Sequence, residues 1–377
     1  MCAEHLPPPT IISSRSALGK LVDRLASEPV LAVDTESNSL YVYQERVCLI
    51  QFSTPTEDVL IDPLALKDLS PLGPVFANPD IEKVFHAAEY DLITMKRDFG
   101  FEFANLFDTM LAARILGWKE IGLGSILKNQ FGVQLNKRYQ RANWGRRPLP
   151  PELLSYARLD THYLIPLRDR MQVELERSHR WDLAKEDFRR LRYVNGKERD
   201  GVQDTCWRIS GAYDLNPREA AVLLELCRYR DDVARSINRP LFKVMSDRTL
   251  LSIASTVPQN LHELRERSQL SEKQVKRYGD AVLRAVQRGL RAAPAYPPRA
   301  PRPDEDYLAR VDALRYWRKK RAQNMGVNSD VVLPRDLLYK IASKSPGNEE
   351  ELSQILHRVP WRNEQFGGEI LDVLAST

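Results

Sequence analysis

A gapless internal repeat constrains the second half of the chain more than any other feature. A shift of 88 residues pairs identical residues from Arg230 with Arg318 to Leu283 with Leu371, and it preserves the run Ile-Ala-Ser at 253–255 and 341–343. Chance identities do not keep one register that long while also preserving apolar positions. The repeated stretches read as short amphipathic helices, so we predict two copies of one small all-helical domain.

The first half shows a different pattern. Short runs rich in β-branched residues, "VLAVDT", "VCLIQFST" and "DVLIDP", alternate with helical patterns such as "SALGKLVDRLAS" and "YDLITMKRDFG". This alternation predicts an α/β domain. We therefore expect an α/β domain over residues 1–200, helical domains at 211–291 and 307–377, and a proline-rich extended spacer at 292–306.

Charge is distributed unevenly among these segments. Counting Lys and Arg against Asp and Glu gives −1 for residues 1–210, +5 for 211–291 and +1 for 292–377. The basic segment is either a surface that binds a polyanion or a solvated helical face.

Two further features bear on the compartment. No stretch approaches the roughly 20 apolar residues that a membrane span needs, and the start lacks the order of a signal peptide. The 4 cysteines are scattered without a CxxC pair, so we expect neither structural zinc nor disulfides. We interpret the protein as cytoplasmic, in a reducing compartment.

Acidic residues occur where the predicted elements end. In "LAVDTES", Asp34 and Glu36 stand two apart on a strand and so project from one face. Asp91 follows the strand end of "KVFHAAEYDL", at the start of a helix, and Tyr156 and Asp160 stand four apart on one face of a helix that opens at Pro150 and Pro151. Taken singly, each has an ordinary interpretation, as a surface acid, a helix-dipole partner or a core-edge aromatic.

Taken together, the three motifs form the signature of the DEDD exonucleases of the tyrosine subclass. The chain resembles the ribonuclease D family in particular, because "CLIQFST", "HAAEYDL", "FDTMLAARILG" and "NWGRRPLPPELLSYARLD" match as well. The repeated unit resembles the HRDC domain, of which that family carries two copies. The resemblance implies a ribonuclease H-like exonuclease domain with a mixed sheet and 3′–5′ exoribonuclease activity, with release of nucleoside 5′-monophosphates.

The resemblance also implies partners. The expected substrate is RNA with a single-stranded 3′ end, such as a tRNA precursor, and no obligate protein partner is evident.

Four carboxylates and a tyrosine suit phosphodiester hydrolysis. Oxygen ligands favour two divalent ions, Mg²⁺ or Mn²⁺. We expect Asp34 to bridge the ions, Glu36 and Asp160 to bind the ion that generates the nucleophile, and Asp91 to bind the ion at the leaving group. Tyr156 would orient the attacking water.

Other residues are candidates for holding RNA. The stretch 136–148 interleaves cations with aromatic residues, a pattern typical of single-strand binding, although it also fits a solvated loop. Its candidate residues are Lys137, Arg138, Arg141, Trp144, Arg146 and Arg147. The resemblance implies that Leu40 and Gln51 contact the terminal nucleotide, though both also fit core or sheet-edge positions.

The first helical repeat is the expected RNA-binding arm, through Arg228, Arg230 and Arg235. The second repeat is a clamp or a packing element. Because the catalytic residues all precede residue 161, we expect residues 1–210 to fold and cleave short RNA without the repeats.

Two other functions remain open at this point. A DNA-directed 3′–5′ exonuclease would use the same acids, and a non-catalytic nucleic-acid-binding protein could keep the fold. A helicase is excluded, because no GxxxxGK[ST] motif occurs.

Overall fold

The structure is a computed structural model that describes residues 6–195, 201–298 and 303–377. These residues form two compact units: one contains 6–37, 47–195 and 303–377, and the other contains 38–46 and 201–298. Within these ranges, no helix combines the length and the apolar character that a membrane span requires. The middle of the predicted spacer, residues 299–302, and the end of the predicted first domain, 196–200, lie outside the described residues.

A six-stranded sheet with the order β1-β4-β3-β2-β5-β6 is the centre of the first unit. The strands are β1 (Thr10–Ile12), β2 (Val30–Ser37), β3 (Val47–Ser53), β4 (Asp58–Ile61), β5 (Glu82–Phe85) and β6 (Leu106–Asp108). β3 runs antiparallel to β2 and β4, whereas the other pairs are parallel. The predicted mixed sheet is therefore confirmed.

Helices cover both faces of the sheet. They are α1 (Arg15–Leu25), α2 (Gly73–Ala77), α3 (Glu89–Phe99), α4 (Thr109–Leu116), α5 (Leu123–Phe131), α6 (Pro151–His162), α7 (Leu164–Arg177) and α8 (Trp181–Leu191), with short 3₁₀ helices at Ser70–Leu72 and Lys137–Arg141. In β2, Leu31 and Val33 join one apolar core with α1, while Ala32 joins the other core with α4 and α7. This alternation places Asp34 and Glu36 on the same face as Ala32.

The second unit is a helical domain that also includes residues 38–46. Its helices are α9 (Val202–Trp207), α10 (Pro217–Ser236), α11 (Leu241–Val244), α12 (Asp247–Thr256), α13 (Leu261–Arg267) and α14 (Glu272–Arg291), with a 3₁₀ helix at Ala212–Asp214. Asn216 and Ser271 begin the two long helices with capping boxes, which satisfy backbone N–H groups that the helix leaves free.

A disulfide in this unit contradicts the prediction from cysteine spacing. Cys206 on α9 and Cys227 on α10 are bonded, with Cα atoms 6.0 Å apart. Both side chains are buried in the core of the unit, and the packing of the two helices brings them together. Spacing of 21 residues without a motif gives no sign of this contact. The structure therefore does not support the argument from cysteine usage for a reducing compartment.

The second repeat has the same helix order as the first. Its helices are α15 (Glu305–Met325), α16 (Ser329–Val332), α17 (Arg335–Lys344), α18 (Glu349–Leu356) and α19 (Pro360–Ala375). Each one begins 88 residues after its counterpart among α10 to α14, as the sequence repeat predicts.

This second repeat packs against the exonuclease part of the same unit. Arg362 on α19 is fully buried and pairs with Glu186 and, at 2.9 Å, with Asp187 on α8. A Cβ atom on Gly117 would lie 2.4 Å from the carbonyl oxygen of Gly326, so the backbones touch there. Removing 303–377 would uncover this apolar and ion-paired surface on the exonuclease part, and the folding of residues 1–210 without the repeats stays a prediction.

Candidate active site

The end of β2 carries the first two acids of the site. In the sheet register Asp34 lies opposite Gln51 and Glu36 opposite Leu49, and a register irregularity follows between Glu36 and Ser37. Gln51 is fully buried, and its Nε2 lies 3.4 Å from Asp34 Oδ2. The sheet therefore fixes the backbone that presents both carboxylates.

Helix α6 brings the third acid to them. One carboxylate oxygen from each of Asp34, Glu36 and Asp160 lies within 4.8 Å of the others, an arrangement that could hold a metal ion. Asp160 is 7% exposed, and α6 packs against β2, β3 and β4. Residues separated by more than 120 positions in the chain thus form one acidic cluster.

The fourth acid, Asp91, lies in the first turn of α3 and is buried. The hydroxyl of Thr35 donates a hydrogen bond to its carboxylate. Because Thr35 stands between Asp34 and Glu36, this contact ties α3 to the acid-bearing strand. Sequence reasoning missed Thr35, since only the packing of α3 on the sheet shows its partner.

Asp108 is a second residue that the motifs do not single out. Its carboxylate accepts hydrogen bonds from the backbone N–H groups of Ala87 and Ala88 before α3, at 3.1 and 2.7 Å. It also caps α4 through Met110 and Leu111. Ala87 has a left-handed φ of 61°, which costs energy for a residue other than glycine, so Asp108 stabilises the turn that leads to Asp91. An Asp directly before a helical pattern is the sequence signal for its capping role.

Burial and mutual repulsion shift the ionisation of the acids. The pKa of Asp34 rises well above its usual value because of burial and of repulsion from Asp91, Asp160 and Glu36. Burial likewise raises the pKa of Glu36, that of Asp91 to about 7 and that of Asp160 to about 8. A bound cation would offset this repulsion.

The donor set fits a hard divalent cation. It consists of carboxylate oxygens, the ligands that Mg²⁺ and Mn²⁺ prefer. Beside it, the Oε1 atom of Gln51 is buried without a hydrogen-bond partner among the described residues. An unsatisfied polar atom next to Asp34 is consistent with a further ligand or water at this place.

Tyr156 lies on α6 one turn before Asp160, to which its hydroxyl donates a hydrogen bond. Burial and the neighbouring carboxylates raise its pKa, so the phenol stays protonated at neutral pH. The rings of Tyr139 and Trp144 pack against the Tyr156 ring at 5.7 and 6.2 Å. They fix its orientation.

We expect Tyr156→Phe to slow the chemical step by roughly 10²-fold, because a positioned hydroxyl is lost while the carboxylates remain. Single-turnover rates across a Mg²⁺ titration provide the measurement. Tyr139→Phe is the matched control, since it removes a hydroxyl from the same aromatic cluster. Recovery of the Tyr156→Phe rate at high Mg²⁺ would refute the water-orienting role.

One cavity of about 540 Å³ is lined by the four acids and by Tyr156. It is lined by the predicted Asp34, Glu36, Asp91, Tyr156, Asp160 and Lys137, and by the unpredicted Thr35, His86, Ala87, Tyr90, Gly122, Leu123, Gly124, Ser125, Leu135 and Gln140. The structure therefore brings the five predicted catalytic residues together at one opening. The side chain of Lys137 and the N-terminus of α5 lie beside them.

Two residues of the stretch 136–148 that were predicted to contact RNA are buried or already paired within the protein. Trp144 is 1% exposed in an apolar cluster, so the prediction that it stacks on bases is wrong. Arg147 binds both oxygens of Asp62 at 2.6 Å and donates to the carbonyl of Cys48, and its guanidinium is therefore already occupied. Lys137, Arg138, Arg141 and Arg146 are exposed, as predicted.

The arginines of the first repeat that were predicted to bind RNA also form ion pairs within the protein. Arg230 is 3% exposed and pairs with Asp247, so it is a structural residue and not an RNA contact. Arg228 and Arg235 reach solvent, but they pair with Glu225 and Asp231. Leu40 is 39% exposed and belongs to the second unit, and its contact with a nucleotide stays a prediction.

Comparison with known proteins agrees with this geometry. Residues 9–176 match a 3′–5′ exonuclease family, and residues 219–286 and 308–374 match the HRDC domain. Ribonuclease D of Nitrobacter hamburgensis is 29% identical over 364 residues, which cover 95% of this chain and 93% of that protein.

Two crystal structures show the same likeness. Escherichia coli RNase D, described as an exoribonuclease involved in structured RNA processing, superposes with a TM-score of 0.72 at 25% identity, covering 98% of this chain and 99% of that one. The catalytic core of RRP6 from Trypanosoma brucei gives 0.68 at 31% identity, covering 76% and 80%. The chain spans only 29% to 48% of the length of the plant and animal relatives that it matches, which include RRP6-like proteins and exosome complex component 10.

Proposed function

The chain belongs to the ribonuclease D family of 3′–5′ exonucleases, and we propose that it removes nucleotides one at a time from the 3′ end of RNA, releasing nucleoside 5′-monophosphates. The observation that carries this proposal is the convergence of four carboxylates and one tyrosine on a single cavity. Phosphodiester hydrolysis needs negative charge on the phosphate to be offset and a water to be activated. An acidic cluster meets both needs only in combination with cations.

We assign two divalent ions, Mg²⁺ or Mn²⁺, to these carboxylates. The cluster of Asp34, Glu36 and Asp160 supports one ion site, and Asp91 stands beside it through Thr35. When bound to these carboxylates, such ions would lower the pKa of a water and offset the negative charge that the phosphate and the leaving oxygen gain. The protein itself orients the attacking water through Tyr156, whose protonated hydroxyl is held against Asp160.

The rim of the cavity supports the binding of a nucleotide chain. Lys137 lines it, and Gly122 and Leu123 place the N-terminus of α5 there. A helix N-terminus offers backbone N–H groups and a partial positive charge, both of which favour phosphate. Tyr90 also lines the cavity and is 48% exposed, and aromatic rings are the groups on which unstacked bases stack.

Metal binding should depend on pH in a defined direction. The folded-state pKa values of Asp91 and Asp160, about 7 and about 8, lie above the ordinary value of 3.8. A carboxyl group whose pKa is raised on folding stabilises the fold fully below about pH 4, and that contribution is lost as the pH rises through 7 to 8. We therefore expect metal-free protein to become less stable between pH 6 and 8, and Mg²⁺ to raise the melting temperature more at pH 8 than at pH 6.

Melting curves in EDTA and in Mg²⁺ at pH 6, 7 and 8 provide this measurement. Asp160→Asn is the control, because removing that carboxylate should flatten the pH dependence. An equal Mg²⁺ effect at every pH would contradict the proposed cation site.

Three exposed cations on the first repeat are better candidates for a second RNA contact than the predicted Arg228, Arg230 and Arg235. Arg239, Lys243 and Arg248 are exposed and have no acidic partner among the described residues, and Phe242 beside them is 52% exposed. Each phosphate contact on a single strand adds about 0.7 to the slope of log affinity against log salt. Replacing all three cations with glutamine should lower that slope by about 2 if each binds a phosphate.

Binding of a hairpin with a single-stranded 3′ tail, measured across a salt series, tests this prediction. A control variant with glutamine at Lys20, Lys67 and Arg177, which are exposed on the exonuclease part, should keep the original slope. Equal slopes for the two variants would mean that the basic face of the repeat is only solvated.

We propose tRNA precursors in the cytoplasm as the substrate, on the basis of the likeness to ribonuclease D. The relatives named exosome complex component 10 are components of an assembly, but this chain spans only 29% to 30% of their length. We therefore propose RNA as the partner of this chain, without an obligate protein partner.

Digestion of RNA and DNA labelled at the 5′ end tests the activity. Purified protein with Mg²⁺ should produce a ladder of single-nucleotide steps on RNA with a 3′ tail, and none in EDTA. A ladder on DNA alone would assign the protein to the DNA-directed exonucleases. Absence of any cleavage with Mg²⁺ or Mn²⁺ would leave a non-catalytic binding protein.

A further inference from the structure

A second cavity, of about 280 Å³, lies at the ends of strands β5 and β6 that are away from the candidate active site. It is lined by Glu82 and Leu106, the first residues of β5 and β6, and by one face of α8. The other end of β5 leads towards Asp91. Because a strand rises about 3.3 Å per residue, the four residues of β5 separate this cavity from the candidate active site by roughly 10 Å or more.

Three cations line this cavity, two from α8 and one from the residue that follows it. Lys185, Arg189 and Arg192 are spaced four and three residues apart, and they therefore share one helical face. Lys185 pairs with Asp182, whereas neither arginine has an acidic partner among the described residues. Glu82 is the acidic residue of the lining, and it is already paired with Arg168 at 2.5 Å. The cavity therefore favours an anion.

Two aromatic side chains form the adjacent wall. Phe188 is buried, and Trp181 is half-buried with its ring 6.3 Å from that of Phe188. The Nζ atom of Lys185 lies 5.9 Å from the centre of the Trp181 ring. Cations beside a partly exposed aromatic ring are the combination that binds a phosphate together with a base. The volume is near the lower end for ligand pockets and suits one nucleotide rather than a longer segment.

The docking of the second repeat does not use this face. That contact is made by Glu186, Asp187 and Arg190, which bind Arg362 and Asp336 from a different side of α8. One side of the helix thus holds the repeat, while the other faces the cavity with Lys185 and Arg189. Arg192 also lines the cavity, and its Nε donates a hydrogen bond to the carbonyl of Phe103 at 3.1 Å. Arg189 lines the cavity and is exposed.

We propose that this cavity is a second nucleotide-binding site, in which Arg189 and Arg192 bind the phosphate and Trp181 contacts the base. The nucleotide is either part of an RNA strand held away from the active site or a free nucleoside monophosphate. The site does not depend on catalysis, and its test therefore does not depend on the exonuclease assignment.

Calorimetric titration of adenosine 5′-monophosphate into the full chain in EDTA tests the site. EDTA removes any cation that could hold phosphate at the active site, and the part of the binding that is lost in Arg189→Glu reports on the second cavity. Arg189→Glu should weaken this binding about tenfold or more, because a charge-assisted hydrogen bond becomes a repulsion. Arg177→Glu, an exposed arginine on α7, is the matched control and should bind like the wild type.

Three results would overturn the proposal: no binding at millimolar nucleotide, equal binding by the two variants, or inorganic phosphate binding as tightly as the nucleotide. A single-stranded oligonucleotide, titrated under the same conditions, distinguishes the sources. A loss of oligonucleotide affinity in Arg189→Glu identifies an RNA strand, and a loss confined to the monophosphate identifies the free nucleotide. Melting curves of both variants confirm that they are folded.

Discussion

Replacing Asp34 with asparagine should lower the rate of RNA cleavage by roughly 10²-fold or more at saturating Mg²⁺, since loss of even an outer partner of a metal ligand costs 10–100-fold. Asp34 is central to the acidic cluster. One of its carboxylate oxygens lies within 4.8 Å of oxygens of Glu36 and Asp160, and repulsion from Asp91 also raises its pKa. RNA binding should be nearly unchanged, because the variant removes no cation from the rim of the cavity.

Rates with excess enzyme and RNA affinity in EDTA separate the two effects. Asp23→Asn is the control, because Asp23 is an exposed acid on α1 and should keep full activity. Asp91→Asn and Asp160→Asn should behave like Asp34→Asn. If Asp34→Asn keeps more than a few per cent of the wild-type rate, Asp34 does not bridge two ions.

Replacing Arg362 with methionine should loosen the second repeat from the exonuclease part. The arginine is fully buried, pairs with Glu186 and Asp187, and donates to the carbonyls of Val331 and Val332. Methionine has a similar length but leaves Glu186, which is 2% exposed, without its cation. Breaking a buried pair from one side costs about 3–5 kcal/mol.

Hydrogen exchange of the amide groups in α8 and α19 measures this local loss. Exchange there should become roughly 10²- to 10³-fold faster, since 1.4 kcal/mol corresponds to a factor of ten. Lys340→Met is the control, because Lys340 is exposed on α17. Adding Glu186→Leu to Arg362→Met should restore part of the protection. Unchanged exchange in Arg362→Met would show that the ion pair does not hold the repeat.

Periodicity and spacing were enough to predict the parts of the molecule that depend on local geometry. The two-residue period of a strand places Asp34 and Glu36 on one face, and the helical period does the same for Tyr156 and Asp160. The repeat of 88 residues likewise predicts the order of the helices in both copies.

Contacts between distant residues were not predictable in this way. Arg147 and Asp62 are 85 residues apart, and Glu186 and Arg362 are 176 apart. Nothing in "NWGRRP" distinguishes an arginine held by a distant aspartate from one that is free to bind phosphate. The prediction that Trp144 contacts RNA is wrong for the same reason, because its burial depends on packing against Tyr156. Composition predicts that a loop is basic, but tertiary structure decides which of its cations remain available.

The chemical identity of the first product tests the central claim most directly. An RNA labelled at its 3′-terminal nucleotide, incubated with excess protein and Mg²⁺, should release the label as a nucleoside 5′-monophosphate in the first turnover, and EDTA should prevent the release. The same RNA carrying a 3′-phosphate should react more slowly, because added negative charge meets the acidic cluster. Release of the label in a longer oligonucleotide, or at the same rate in EDTA, would contradict the account.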